Sequence, residues 1–408
     1  MVRRLNNTSS QGANAMKRSR ILLGLNASVF VMMLGVGLIV AILPGKILAL
    51  TGSPSMVGML ASTFAVSYIL LQVPVGNLAD RWGFRPFLLW GYILCALVGL
   101  GYAFAPSALL IFAGRVFQGA GEAPVWALGP AVLSIAYPEK KGTVIGFYNA
   151  ASHLGLTFGP LLGVLLAGRW TDQAPFLFYA ATCAAGAGII GLTLGNVRPA
   201  FDQPRQNLNL AALRILTRET GVLKAFFGIA LHGVAYGIVL TVIPAYVIGA
   251  RHFSQASVNV YFSLFYITVC ASQFLTGSLS DRRGRRPLMA AGLILTAAGI
   301  ASIPALPSPW IFGAFATLSF GLGTFYLSSM AFLNETVPDT LKGTISGAYF
   351  LFWGIGNFAG PPLVGLVAQV AGQAAGFETF AALLALQAAL VMKKTTLGLG
   401  PFSKKKEA

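Results

Sequence analysis

Glu122 stands about fifteen residues into a long apolar run, and Arg115 precedes it by seven residues. Two helical turns separate them, so on a helix the two side chains share a face about 10 Å apart. Gly119 and Trp126 continue that face. An ionisable group inside an apolar span is costly to insert and marks a proton or substrate path by default. The chemistry on offer is proton exchange at a carboxylate beside a guanidinium, or the holding of a polar substrate group. The structural alternative is an Arg115–Glu122 bridge, direct or through water, that only holds its helix in place. His153 and His232 also fall in apolar runs. Each can exchange protons near neutral pH, or serve as a satisfied interhelical hydrogen-bond donor. Asn26, Trp126, Asn149, Tyr236, Tyr266, Tyr326 and Asn357 lie at depths suited to lining a cavity, as does Gln273.

Catalytic constellations are missing. The sequence has no serine nucleophile elbow, no phosphate-binding Gly-Lys loop and no HExxH pair. Cys95, Cys183 and Cys270 form no CxxC pair and sit in apolar runs, so they read as small buried hydrophobes and not as a disulfide or zinc site. The expectation is a protein that is not an enzyme and uses no cofactor and no metal.

The elements that carry these residues follow from composition. Of 408 residues, 56% are hydrophobic and only 10% charged, with a mean hydropathy of +0.74. That is too little charge to cover a water-soluble domain of this size. Apolar stretches of spanning length recur at about 21–43, 55–79, 86–105, 107–135, 142–168, 174–195, 222–248, 256–279, 287–305, 309–333, 343–370 and 375–392. The first has no small-residue cleavage site and is too long for a signal peptide, so it reads as a first spanning helix. Hence the expected fold is an all-α membrane protein of twelve transmembrane helices in two six-helix bundles, at 21–195 and 222–392. A polar tail covers 1–20, a linker 196–221 and a second tail 393–408. Leu210, Leu213 and Leu216 beside Arg214 and Arg218 suggest a short amphipathic helix within the linker.

A net charge of +17 would suit nucleic acid, but the cations gather in the short links between apolar runs. With the N-terminus cytoplasmic, 24 of the 28 lysines and arginines fall on the inside, the bias that orients membrane proteins. Both termini are therefore expected in the cytoplasm. The expected partners are the lipid bilayer, a small-molecule substrate and protons, with no nucleic acid.

Two of the links repeat. A shift of 201 places Gly76, Leu78, Asp80, Arg81, Gly83, Arg85 and Pro86 on Gly277, Leu279, Asp281, Arg282, Gly284, Arg286 and Pro287. It also carries "KGT" at 141–143 to "KGT" at 342–344, Tyr148 to Tyr349, and Gly159-Pro160 to Gly360-Pro361. Shifted by 200, Gly37 and Pro44 fall on Gly237 and Pro244. So many matches define two homologous halves. With an even number of helices each, they share one orientation and relate by an axis along the membrane normal, which puts a substrate site between them. A simple positive-inside loop would explain the arginines, but not the glycines, the aspartates or the repetition. A gate explains them all. Gly76 lets its helix approach one of the other half, Asp80 faces the N-terminus of the helix that begins near Lys342-Gly343-Thr344, and the arginines find Glu139, Glu335 and Asp339.

On these motifs the chain resembles the major facilitator superfamily, over nearly its whole length. Residues 76–85 resemble the family's link between helices 2 and 3, and 277–286 its copy between helices 8 and 9. "GLIVAILP" at 37–44, "RVFQGAGEA" at 115–123 and "GLTFGPLLG" at 155–163 resemble the twelve-helix drug:proton antiporters, although helix 1 here lacks a membrane acid. The resemblance implies alternating access with proton-coupled efflux of a small amphipathic compound, in a bacterial cytoplasmic membrane. The alternatives are import of a small metabolite by symport or uniport, export of a metal-chelating metabolite, or a receptor or scaffold that does not transport.

Overall fold

The structure is a computed structural model and describes residues 2–51, 54–165, 171–195, 220–253 and 255–393. The linker calls at Leu210, Leu213 and Leu216 lie outside the described residues. Among the described residues, twelve helices form two bundles of six. In the first half they are α1 (Val2–Thr51), α2 (Pro54–Trp82), α3 (Phe84–Ala103), α4 (Ala108–Ala136), α5 (Lys141–Leu165) and α6 (Ala174–Thr193). The second half begins with α7, which consists of Thr220–Gly237, a π-helical turn at Ile238–Val242 and a last stretch Ile243–Gly249. It continues with α8 (Gln255–Arg283), α9 (Arg285–Ser302), α10 (Ser308–Thr336), α11 (Lys342–Ala371) and α12 (Gln373–Met392).

Among the described residues, nine of these helices are long and apolar enough to cross a bilayer. The other three are α4, α5 and α9, and α4 is the helix that carries Arg115, Gln118 and Glu122. Large apolar side chains such as Trp90, Leu109, Leu192 and Val370 stand exposed on the outside. In lipid they are in their proper solvent, and helices satisfy all their backbone groups internally there. The backbone of α1 is helical from Val2, well before the expected span.

Within each half the same packing recurs: α1 lies against α5 and α6, and α3 against α4 and α6, while α7 lies against α11 and α9 against α10 and α12. The two halves meet along α2–α11 and α5–α8. Glycines make the close approaches possible. A methyl added to Gly159 would stand 2.5 Å from the Leu34 carbonyl, and one on Gly237 2.7 Å from that of Asn357.

The π turn has a local cause. Pro244 has no N–H to give the carbonyl four residues back, so the ladder cannot continue unchanged. The Thr241 hydroxyl donates to the Gly237 carbonyl at 2.7 Å in the same stretch. Both repeated links turn on a single glycine: Gly83 has φ +94° and Gly284 φ +87°, a region that side-chain-bearing residues avoid.

Candidate functional site

Between the halves lies a cavity of about 210 Å³. Its polar groups come mainly from one face of α4. Arg115, Gln118 and Glu122 are all buried, at 8%, 0% and 4% exposure. Arg115 and Glu122 do not touch; Gln118 joins them. The Arg115 guanidinium Nη1 donates to Gln118 Oε1 at 3.0 Å, and Gln118 Nε2 donates to Glu122 Oε1 at 2.8 Å. Tyr102 OH adds a second donor to Gln118 Oε1 at 3.0 Å, and Trp126 Nε1 reaches Glu122 Oε2 at 3.4 Å. Arg115 Nε donates to the Leu60 carbonyl at 3.1 Å, and the guanidinium carbon lies 4.8 Å from the centre of the Phe64 ring. The amide is thus oriented by its neighbours, oxygen to the cation and nitrogen to the anion.

His153 also lines the cavity. Its Nδ1 lies 2.7 Å from the Asn149 carbonyl, which can only accept, so Nδ1 carries the proton and Nε2 is left to accept. His232 lines the opposite half, stacked on Tyr326 with ring centres 6.2 Å apart. Its Nδ1 is buried without a partner among the described residues. The remaining wall is aromatic and aliphatic. Phe350 lies within ring contact of Tyr68, Trp126, Tyr326 and Trp353, and so ties the halves together at the cavity.

The wall therefore includes Arg115, Glu122, Trp126, His153, His232, Tyr236 and Tyr326, and Gln273 with them. Asn26, Asn149, Tyr266 and Asn357, also expected there, are not among the residues that line it. Only one stripe of each helix faces the cavity. Asn149 is buried beside His153 on α5, Tyr266 sits behind the His153 ring at 6.4 Å, and Asn357 belongs to the α7–α11 seam. Gln118, Phe64, Tyr68, Phe350 and Trp353 were not singled out from the sequence. Gln118 was legible, being three residues after Arg115 and four before Glu122; the aromatics carry no such signal.

At one end of the bundle the repeated links close it. Asp80 accepts from Gly343 N at 2.8 Å, Thr344 N at 2.7 Å and the Thr344 hydroxyl at 2.6 Å. These are free N–H groups of the first turn of α11, whose own preceding residue, Leu341, offers no side-chain acceptor. Asp281 does the same for α5, accepting from Gly142 N at 2.9 Å, Thr143 N at 2.8 Å and the Thr143 hydroxyl at 2.6 Å. A methyl on Gly76 would overlap the Gly343 carbonyl. Ser134 and Asn334 join α4 to α10 at 3.1 Å beside these contacts.

The arginines behave differently from expectation. Arg285 is the one that pairs, with Asp281 and Glu335, both at 2.7 Å. It lies four residues beyond Asp281, across the Gly284 turn at the start of α9, outside the set of matched residues. Arg85 instead donates to the Gly191 carbonyl at 2.8 Å, Arg286 lies against the Phe332 ring, and Asp339 is taken by Lys342 at 3.0 Å. Arg81 and Arg282 make no ion pair among the described residues.

Two homologous helical bundles around a central cavity, sealed at one end by reciprocal helix-terminus contacts, are the build of a membrane transporter. The chain belongs to the Major Facilitator Superfamily, whose profile matches residues 25–361 and 225–407. It is 26% identical over 371 residues to the tetracycline resistance protein, class C, of Escherichia coli, covering 86% of this chain and 90% of that one. To multidrug resistance protein 2 of Bacillus subtilis it is 25% identical over 378 residues, covering 86% and 89%. To the phosphoglycerate transporter protein of Salmonella typhimurium it is 26% identical over 368 residues, covering 80% and 77%. Among solved structures, the human organic anion transporter MFSD10 (TETRAN) superposes with a TM-score of 0.75 at 18% identity, over 92% of this chain and 99% of that one. That likeness speaks for the fold alone.

Proposed function

We propose that this chain exports a small amphipathic compound in exchange for protons, by alternating access to the central cavity. The observation that carries this reading is the Arg115–Gln118–Glu122 chain in a cavity whose remaining wall, apart from His153, His232 and Gln273, is aromatic and aliphatic. Such a wall suits a lipophilic molecule; a sugar would need many hydrogen-bonding side chains. The tetracycline and multidrug resistance relatives support export. Protonation of Glu122 takes away part of its capacity to accept from Gln118 and Trp126. The amide is then free to turn towards substrate or solvent, which links protonation to the state of the cavity. The sealed end is the cytoplasmic one on the lysine and arginine count, and the membrane is the bacterial cytoplasmic membrane. The halves are 21–195 and 222–392, joined by a cytoplasmic linker at 196–221 and flanked by cytoplasmic tails at 1–20 and 393–408.

The test is transport in proteoliposomes with an imposed pH gradient, using a fluorescent amphipathic dye. Glu122→Gln should abolish dependence on the gradient while leaving the protein folded and able to exchange substrate passively. A Gln variant that still concentrates the dye with normal pH dependence makes Glu122 structural. Orientation is checked by labelling single cysteines from outside: positions 107 and 252 should react and 208 should not.

A second reading, uptake or exchange of an anionic metabolite, draws on Arg115 and on the phosphoglycerate transporter relative. Accumulation inside vesicles under an inward proton gradient would favour it.

A further inference from the structure

At the sealed end, on the outer surface of the second half, α7, α9, α10 and α12 bound a small crevice. Gly221, Lys224, Arg286, Met289, Phe332 and Val391 line it. The helix ends place it at headgroup depth: α7 starts at Thr220 and α9 at Arg285, α10 ends at Thr336 and α12 at Met392. Its floor is apolar, and just outside it Leu223, Phe227 and Met392 stand exposed towards lipid. The Lys224 backbone is fixed, because Gln387 Nε2 on α12 donates to its carbonyl at 2.6 Å.

Among the described residues neither the Lys224 ammonium nor the Arg286 guanidinium makes an ion pair, and Arg286 has only the Phe332 ring, 5.8 Å away. The acids of the neighbouring link, Asp281 and Glu335, are held by Arg285. The matching place in the first half is filled differently. There Arg85, the counterpart of Arg286, donates to the Gly191 carbonyl at 2.8 Å, and Arg20 to that of Leu192 at 3.0 Å. Those arginines are satisfied by the end of α6. In the second half the shift of 200 that relates α1 to α7 puts Thr220 in the place of Arg20, so α7 brings no arginine here, and Gly221, where an added methyl would stand 3.5 Å from Arg286 Nη2, leaves the space open.

We propose that the phosphate of an anionic phospholipid sits at the mouth of this crevice, against Lys224 and Arg286, with its acyl chains along Leu223 and Phe227 of α7. Paired cations above an apolar helix surface at headgroup level recognise that ligand: charge at the tip, hydrocarbon below. A zwitterionic lipid brings its own cation and gains less. Arg286 follows Arg285 directly, so an occupied crevice would steady the start of α9 that also supports the Asp281 contact.

The experiment uses the full chain, purified in detergent, with thermal unfolding followed against added dioleoyl phosphatidylglycerol, dioleoyl phosphatidylcholine or inorganic phosphate. Phosphatidylglycerol should protect at a concentration at least tenfold lower than phosphatidylcholine, and inorganic phosphate should not protect. Lys224→Gln and Arg286→Gln should each weaken protection about fivefold, and together about thirtyfold, as expected for cations at an anionic headgroup. Lys224→Arg should keep it. Equal protection by the two lipids, or an unchanged midpoint in both single variants, would overturn the proposal. Equal protection by inorganic phosphate would overturn the lipid assignment. The readout is binding, so a failure of the export reading leaves it untouched.

Discussion

The two repeated links use one backbone device in two electrostatic settings. Asp80 is 3% exposed and meets only neutral groups, the two N–H groups and one hydroxyl at the start of α11. Asp281 makes the same three bonds to α5 but also pairs with Arg285, which in turn holds Glu335. Two residues make the difference. Across the repeat, Phe84 stands where the second half has Arg285, and Ile135 where it has Glu335, since α4 matches α10 at a shift of 200. The helix terminus must therefore stabilise the Asp80 charge almost alone, whereas Asp281 sits in a small ionic lattice open to water on one side. Symmetry of fold does not imply symmetry of load.

The largest test is to neutralise each aspartate. Asp80→Asn should cost the sealed state roughly 3 kcal/mol, the scale of hydrogen bonds to a charged group. Transport should drop more than tenfold, and cysteines placed at the link end should become more accessible. Asp281→Asn should cost less, because Arg285 keeps Glu335. Equal losses would erase the distinction.

Next come the glycines beneath each aspartate. A methyl on Gly76 overlaps the Gly343 carbonyl, whereas one on Gly277 would stand 3.1 Å from that of Gly142. Gly76→Ala should therefore cost about 2 kcal/mol of overpacking and Gly277→Ala less, read by the same accessibility assay. The reverse order would mean that the tighter seam is not the one between α2 and α11.

A smaller effect is expected at Glu335, whose side chain is 37% exposed. Glu335→Gln should shift the accessibility of the sealed end by at most about 1 kcal/mol, and the shift should fade at high salt. An effect as large as that of Asp80→Asn would move the main load to the ionic lattice.

The smallest is a pH effect at Lys141, at the aqueous tip of α5. Burial lowers its amine from the ordinary 10.5 to about 8, and the neighbouring Lys342 adds to that. A lowered amine means that protonation opposes the sealed form. The penalty is fully present below about pH 8 and fades as pH rises towards the ordinary value. Accessibility at the link end should accordingly fall between pH 8 and 10, and Lys141→Met should remove that slope.

Much of the fold was legible because its signals are one-dimensional. Twelve apolar runs, the cation bias and the 201-residue shift need no tertiary information. The place of Asp80 was legible too, since a repeated aspartate and a repeated Lys-Gly-Thr at a helix start name both ends of the contact. What was not legible depends on rotation about helix axes. Whether Tyr68, Tyr266 or Trp353 faces the cavity, a seam or lipid is decided by packing, and all three environments accept an aromatic. The pairing of Arg285 instead of Arg286 is the same problem: one residue turns a side chain by about 100°, and only the fold says which way α10 lies.

The link contacts are also reciprocal: the first half supplies the carboxylate for a helix of the second, and the second returns one to the first. Contacts made twice, from i to j and from j to i, are the mark of an isologous interface between identical subunits. A single six-helix unit with one link and one Lys-Gly-Thr start would already hold everything needed to close such a dimer on itself. Joined in one chain, the two sides of such a seal no longer have to be identical. The difference between Arg285 and Glu335 in one half and Phe84 and Ile135 in the other falls at a point where a homodimer would be forced to keep both sides alike.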